Sequence, residues 1–170
     1  MSLAALLQER RDLWRGGQDV AGMPAGIPSG YAQLDALLPG GGWPRAALTE
    51  LLVDTAGQGE LELLMPALAR VSREQRWIAL VAPPWIPYAP GLAGHGVRLE
   101  RLVWIRPGTD KDSLWSLEQA LRGGACSAVL GWPQRLETGR LRRLQLAAER
   151  GDSSGFLFFS TAMAAQASPA

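Results

Sequence analysis

Five apolar runs of strand length alternate with longer segments of helical periodicity along this chain. Within each run the apolar residues are continuous rather than alternating with polar ones, which is typical of strands buried on both faces. Helices packed on both faces of a parallel sheet provide such burial, since parallel neighbours need crossover connections. The sequence therefore predicts an α/β fold with a mostly parallel five-stranded sheet flanked by helices. The predicted strands are residues 48–53, 77–81, 102–105, 128–132 and 156–160.

The segments between these runs carry apolar residues at helical spacing. Their apolar stripes are expected to face a core rather than a ligand. Pro66 lies inside the first stripe, and because proline has no amide hydrogen, we expect this helix to be kinked or to begin late. The predicted helices are residues 60–72, 110–122 and 137–150.

The apolar runs place the core domain at residues 23–160. Residues 1–22 are predicted to form an N-terminal helix and linker, because an apolar helical face is followed by a glycine-rich stretch. Whether this helix packs on its own domain or on another protein stays open. Residues 161–170 lack a clear apolar pattern, so we expect a disordered or truncated C-terminal tail.

Charge and cysteine content limit the class of protein. The 17 Lys and Arg residues nearly balance the 16 Asp and Glu residues, so we expect weak or no direct DNA binding. Cys126 is the single cysteine, which excludes an internal disulfide and suits a reducing compartment. Residues 1–14 are amphipathic rather than continuously apolar, and no stretch reaches membrane-spanning length. These features predict a soluble cytoplasmic protein with no membrane contact.

The loop after the first predicted strand has the outline of a phosphate-binding loop. Such loops read G-x-x-x-x-G-K-[ST], with backbone amides and a lysine on the phosphates and a hydroxyl on magnesium. Gly57 and Gly59 supply the turn, but Glu60 stands where the lysine belongs and Leu61 where the hydroxyl belongs. A carboxylate repels a triphosphate, so the four residues predict a degenerate site without a nucleotide cofactor. An ordinary strand–loop–helix corner, with Glu60 at the positive end of the helix dipole, is the alternative.

The segment before this loop resembles the beginning of the RecA-type ATPase core. There a serine and glycine, then a leucine and aspartate, precede a glycine-rich turn and the strand that leads into the phosphate loop. The segments G-G-G-W-P-R, L-T-E-L and A-P-P-W-I-P-Y-A-P are similar to sequences of the ImuA family, and the resemblance covers residues 27–159. The matching residues are Ser29, Gly30, Leu34, Asp35, Gly41, Gly42, Pro44 and Glu50.

The resemblance implies a RecA-like P-loop core whose catalytic positions are empty. A RecA-type ATPase has a carboxylate after its second core strand and an aspartate ending the fourth. This chain has Ala82, Pro83 and Pro84 at the first position and Gly131 and Trp132 at the second. Without these groups phosphoryl transfer has neither positioning nor charge stabilisation. We therefore expect no enzyme, no cofactor and no metal site.

Without a catalytic site, such a chain is expected to act through aromatic residues that bind a partner protein. Trp85, Ile86 and Tyr88 follow the second predicted strand among prolines, and Trp132 ends the fourth. Parallel sheets present their binding edge at the carboxyl ends of the strands. Tryptophan is also favoured at interface hot spots. These four residues are the predicted partner-binding surface, with a lid over the second strand as the alternative.

The ImuA resemblance implies a non-catalytic adaptor of damage-induced translesion DNA synthesis. Its partners would be an ImuB-type polymerase-like protein, an error-prone replicative-type polymerase and RecA. The alternative is a SulA-type cell-division inhibitor that binds FtsZ and blocks its polymerisation. SulA proteins resemble this chain mainly from about Glu50 onward, so residues 27–45 favour ImuA.

Overall fold

The computed structural model describes residues 24–57, 59–133 and 136–161 and contains one five-stranded sheet. All four neighbouring pairs are parallel. The predicted α/β class and the five-stranded sheet flanked by helices are confirmed. The strands are β1 Leu48–Val53, β2 Trp77–Val81, β3 Leu102–Ile105, β4 Cys126–Gly131 and β5 Ser154–Ser160. Their order across the sheet is β1-β5-β4-β2-β3.

Two strands begin earlier than their apolar runs. β4 begins at Cys126 and β5 at Ser154, where the sequence predicted residues 128 and 156. Ser154 and Gly155 pair with Ala128 and Val129 of β4, so backbone hydrogen bonding extends the strand beyond its apolar side chains. Small and polar residues give no apolar signal, which is why the pattern missed them.

The three helices that the periodicity predicted are present as α2 Met65–Val71, α4 Asp110–Arg122 and α5 Thr138–Gly151, whereas α3 Ala89–Gly94 was not predicted. α4 has the predicted bounds, and α2 begins at Met65 with Pro66 in its first turn, which confirms the predicted late start. Short 3-10 turns at Glu62–Leu64 and Leu99–Arg101 precede α2 and β3. The α-helices are α1 Ala32–Asp35, α2 Met65–Val71, α3 Ala89–Gly94, α4 Asp110–Arg122 and α5 Thr138–Gly151.

The sheet separates two hydrophobic cores. Ile78 and Leu80 of β2 point into the first, with α2, α3 and the segment before β1. Ala79 and Val81 point into the second, under α4 and α5. All four side chains are buried, because successive residues of a strand face opposite sides of the sheet.

The segment before β1 packs closely against the first core. Ile27 and Trp43 form an antiparallel bridge, and both are almost fully buried. The Ser29 amide donates to Asp35 Oδ1 at 2.8 Å, which ties the turn to α1. Hydrogen bonds from the Ser29 side chain and then from its amide lower the pKa of the Asp35 carboxyl. A Cβ on Gly30, whose φ is 90°, would lie 2.4 Å from Pro66 Cβ. These residues therefore hold the segment before β1 against the first core.

Two predicted segments lie outside the described residues. The N-terminal helix and linker at 1–22 and all of the predicted tail except Thr161 fall there. Among the described residues no helix is long and apolar enough to cross a membrane.

Candidate functional site at the carboxyl edge of the sheet

Loops that follow β1, β2 and β4 meet at the carboxyl edge of the sheet. They enclose a cleft of about 220 Å³, with Leu80 of β2 among its lining residues. The structure brings the loop after β1 and the predicted partner-binding surface together, since all eight predicted site residues line this cleft. They are Gly57, Gly59, Glu60, Leu61, Trp85, Ile86, Tyr88 and Trp132.

The Glu60 carboxylate is bound by its own loop. The Gly57 amide donates to Oε1 and Oε2 of Glu60, both at 2.8 Å. The indole Nε1 of Trp132 donates to the same Oε1 at 3.1 Å. Gly57 and Gly59 have φ values of 85° and 93°, a region that favours glycine. A carboxylate therefore satisfies an amide that a phosphate loop would turn towards its anion.

The cleft carries little charge. Glu60 is the one ionisable acid among its described lining residues, and no lysine or arginine is among them. An incoming phosphate would meet the negative Glu60 and would have to displace it from its hydrogen bonds. The remaining walls are mainly proline, leucine and aromatic side chains. This arrangement suits contact with apolar protein groups better than contact with a nucleotide.

The aromatic segment after β2 stands outside the core. Trp85, Ile86 and Tyr88 are 69%, 78% and 72% exposed. The Trp85 ring lies over Gly57, because a Cβ there would be 2.1 Å from Nε1 of the indole. Trp85 therefore closes one side of the cleft while most of its surface stays open to solvent.

Trp132 has a supporting position that its sequence context did not reveal. Its ring stacks on Phe158 of β5, with centroids 4.8 Å apart and planes 15° apart. Its Nε1 is held by Glu60, and the side chain is only partly exposed. Trp132 thus orients the loop and forms the cleft wall between β4 and β5.

Backbone geometry at the end of β2 is a feature that the sequence analysis missed. Ala82 has a φ of 52°, and its amide donates to the Ile105 carbonyl at 3.0 Å. Non-glycine residues rarely adopt this conformation, and Ala46 and Asp152 are the other two that do so in the described part of the chain. Ala82 turns the chain into the Pro83–Tyr88 loop, so it positions the exposed aromatics.

Other candidate chemistry is not assembled in the described part of the chain. His95 Nδ1 lies 2.9 Å from the Gly91 carbonyl at the end of α3. Cys126 is buried in the second core, and burial raises the pKa of its thiol. Within the described residues no three His, Cys, Asp or Glu side chains are grouped to hold a metal ion.

The fold and the cleft define an α/β protein with an aromatic surface at the carboxyl edge of a parallel sheet. Residues 47–155 match the family model described as "Cell division inhibitor SulA". The chain belongs to the SulA family.

Relatives and a solved structure agree with this assignment. SulA of Edwardsiella piscicida is 34% identical over 115 residues, covering 67% of this chain and 68% of that protein. SulA of Yersinia pestis strain Pestoides F is 33% identical over 97 residues, covering 56% and 57% respectively. The crystal structure of SulA from Pseudomonas aeruginosa has a TM-score of 0.58 at 28% identity, covering 68% of this chain and 98% of that one.

The prediction of an ImuA-family protein is wrong. The resemblance covered residues 27–159, but the preference for ImuA over SulA rested on residues 27–45, which lie outside the matched region of 47–155. Residues in this segment form an antiparallel bridge, a turn and a close backbone contact beside the first core. Their sequence pattern therefore reflects packing, and it did not distinguish the ImuA family from the SulA family. The predicted translesion function is therefore wrong as well, and the predicted partners ImuB, an error-prone polymerase and RecA have no support. The SulA alternative is supported, and a family of inhibitors agrees with the prediction that the chain is not an enzyme.

Proposed function

We propose that this protein inhibits bacterial cell division during the response to DNA damage, by binding FtsZ and blocking its polymerisation in the cytoplasm. Membership in the SulA family is the observation that carries this proposal. Inhibition of this kind requires a surface that binds FtsZ and requires no catalytic step.

The partner-binding surface is the exposed aromatic segment of Trp85, Ile86 and Tyr88, supported from below by Trp132. An aromatic side chain buries roughly 150–250 Å² at an interface, a gross gain of about 4–6 kcal/mol at ~25 cal/mol per Å². Ordering costs reduce that gain, and the prolines beside these residues lower the ordering cost because they restrict the free loop.

The loop at residues 54–61 is a degenerate phosphate loop of a RecA-like core. Its glycine turn, its position after β1 and its place at the carboxyl edge support this origin. Glu60 replaces the phosphate with a carboxylate that belongs to the chain itself, so the protein uses no nucleotide cofactor. The loop, held by the hydrogen bonds of Glu60, then supports the aromatic surface from below.

FtsZ polymerisation measured by light scattering and sedimentation tests both the function and the surface. The wild-type protein should reduce the polymer yield in proportion to its concentration. The double variant Trp85→Ala, Tyr88→Ala should lose most of this effect, because it removes both exposed rings. Trp115→Ala is the matched control, since Trp115 is an equally exposed tryptophan on α4.

Each possible failure identifies a different error. A wild-type protein that leaves FtsZ polymerisation unchanged would rule out the function. A double variant that is folded by circular dichroism and inhibits as well as the wild type would rule out the surface alone. Loss of inhibition in Trp115→Ala instead would move the FtsZ-binding surface to the α4–α5 layer.

A further inference from the structure

A groove runs along the outer side of the α4–α5 layer, away from the aromatic cleft. It consists of two depressions of about 190 Å³ and about 420 Å³. Glu118 and Arg143 line both, so the two depressions are continuous. Arg143 Nη2 donates to both carboxylate oxygens of Glu118, at 3.0 and 2.8 Å, which joins the helices across the groove.

The groove is strongly basic although the chain is nearly neutral. Glu118 is the one acidic residue among its described lining residues, and it is already paired with Arg143. The whole chain has a formal net charge of +1, so this excess is local. The cationic residues that line the groove are Lys111, Arg122, Arg140, Arg143 and Arg150.

Each depression also contains an exposed apolar side chain. Trp115, 64% exposed, lines the first, and Leu146, 56% exposed, lines the second. Neither side chain is needed for the second core, which α4 and α5 build from Leu117, Leu121 and Leu144 among others. A large apolar side chain surrounded by arginines is typical of a binding surface.

We propose that this groove binds an acidic protein segment that carries apolar anchor residues. The cations complement acidic side chains, while Trp115 and Leu146 accept the anchors. Single-stranded nucleic acid fits the groove less well, because a base can stack on Trp115 but Leu146 offers no ring for stacking, whereas apolar anchors of a peptide fit both depressions. The groove is a second site, independent of the FtsZ-binding surface proposed above.

Fluorescence anisotropy of a labelled synthetic peptide tests the proposal. The probe is an amphipathic peptide of about 14 residues with two leucines on one face and glutamates elsewhere. A peptide with lysine in place of glutamate and a single-stranded oligonucleotide of equal negative charge are the comparison ligands. The glutamate peptide should bind the full chain, and higher salt should weaken it, because the contacts are partly ionic.

Three variants locate the binding. Arg140→Glu with Arg150→Glu should weaken peptide binding at least about tenfold, and Trp115→Ala should weaken it by a similar factor. Arg73→Glu is the matched control, because Arg73 is exposed and lies outside the groove. It should leave the affinity unchanged.

The outcomes that overturn the proposal are distinct. They are no peptide binding, equal binding by the groove variants and the wild type, equal loss in Arg73→Glu, or tighter binding of the oligonucleotide than of the peptide. Because the probe is a peptide and the variants leave Trp85 and Tyr88 intact, none of these results depends on FtsZ.

Discussion

The indole Nε1 of Trp132 donates a hydrogen bond to Oε1 of Glu60 at 3.1 Å, across 72 positions of sequence. This bond joins the loop after β1 to the end of β4, although β5 lies between these strands. The same carboxylate accepts the Gly57 amide, so one side chain closes the loop and fixes a cleft wall.

Replacing Glu60 should loosen the loop. Glu60→Ala removes both acceptors, so we expect a loss of about 1–2 kcal/mol in the free energy of unfolding. Glu60→Gln keeps one oxygen for the two donors and should lose less. Urea titrations measure both values, and Glu62→Ala is the control because Glu62 is a neighbouring exposed acid. Equal losses for Ala at positions 60 and 62 would contradict the role of Glu60.

Mg-ATP should not stabilise the wild-type protein. The Glu60 carboxylate already accepts the hydrogen bond of the Gly57 amide and repels phosphates. The melting temperature should therefore stay constant as Mg-ATP is added. Thermal unfolding and calorimetric titration provide the measurement. Saturable binding that disappears in a Gly59→Val variant would show that the loop still holds a nucleotide.

Gly57→Ala should cost more than the same change at another glycine with positive φ. At Gly57 the methyl group would collide with the Trp85 indole, whereas at Gly124, whose φ is 71°, it meets nothing within 4 Å. We expect a loss of about 1 kcal/mol for Gly124→Ala from the backbone alone, and a larger loss for Gly57→Ala, because there the Trp85 ring must also shift. Denaturant titrations compare the two variants. Trp85 should also become more accessible to acrylamide quenching in Gly57→Ala.

Arg76 should be a strong determinant of stability. Its guanidinium donates to the backbone carbonyls of Cys126, Gly151 and Asp152, which join β4 to the turn between α5 and β5. Arg76→Ala removes the donor of the Asp152 carbonyl and leaves the Cys126 and Gly151 carbonyls to share the Ser153 hydroxyl, so we expect a loss of about 1–3 kcal/mol in the free energy of unfolding. Arg73→Ala, at an exposed position, should lose less than about 0.5 kcal/mol. Similar values for both variants would contradict the clamp.

The Cys126 thiol should be unreactive in the folded protein. Burial raises its pKa, and this effect outweighs the opposite influence of Arg76. Because the folded state favours the protonated thiol, its stabilising contribution is complete below the ordinary thiol pKa and declines as the pH rises above it. A colorimetric thiol reagent should react slowly at neutral pH and rapidly in denaturant. Fast reaction with the native chain would show an accessible thiolate.

Apolar patterns predicted the strands and helices because each pattern depends on local spacing. α4 has the predicted bounds, and Pro66 correctly indicated a late start for α2. The first residues of β5 were missed, since Ser154 and Gly155 are held by backbone pairing with β4. The family prediction failed at residues 27–45 because a pattern shaped by packing does not show which partner a protein binds.

By itself, the sequence determined the fold class, the positions of the main elements and eight of the twelve described residues that line the cleft. These follow from hydrophobic periodicity, from glycine in a tight turn and from the rule that parallel strands present their carboxyl ends together. Only the tertiary structure decided that Trp85 is exposed while Trp132 holds Glu60, and that the cations of α4 and α5 meet in one groove. Those relationships depend on strand order and helix packing, which join residues far apart in the chain.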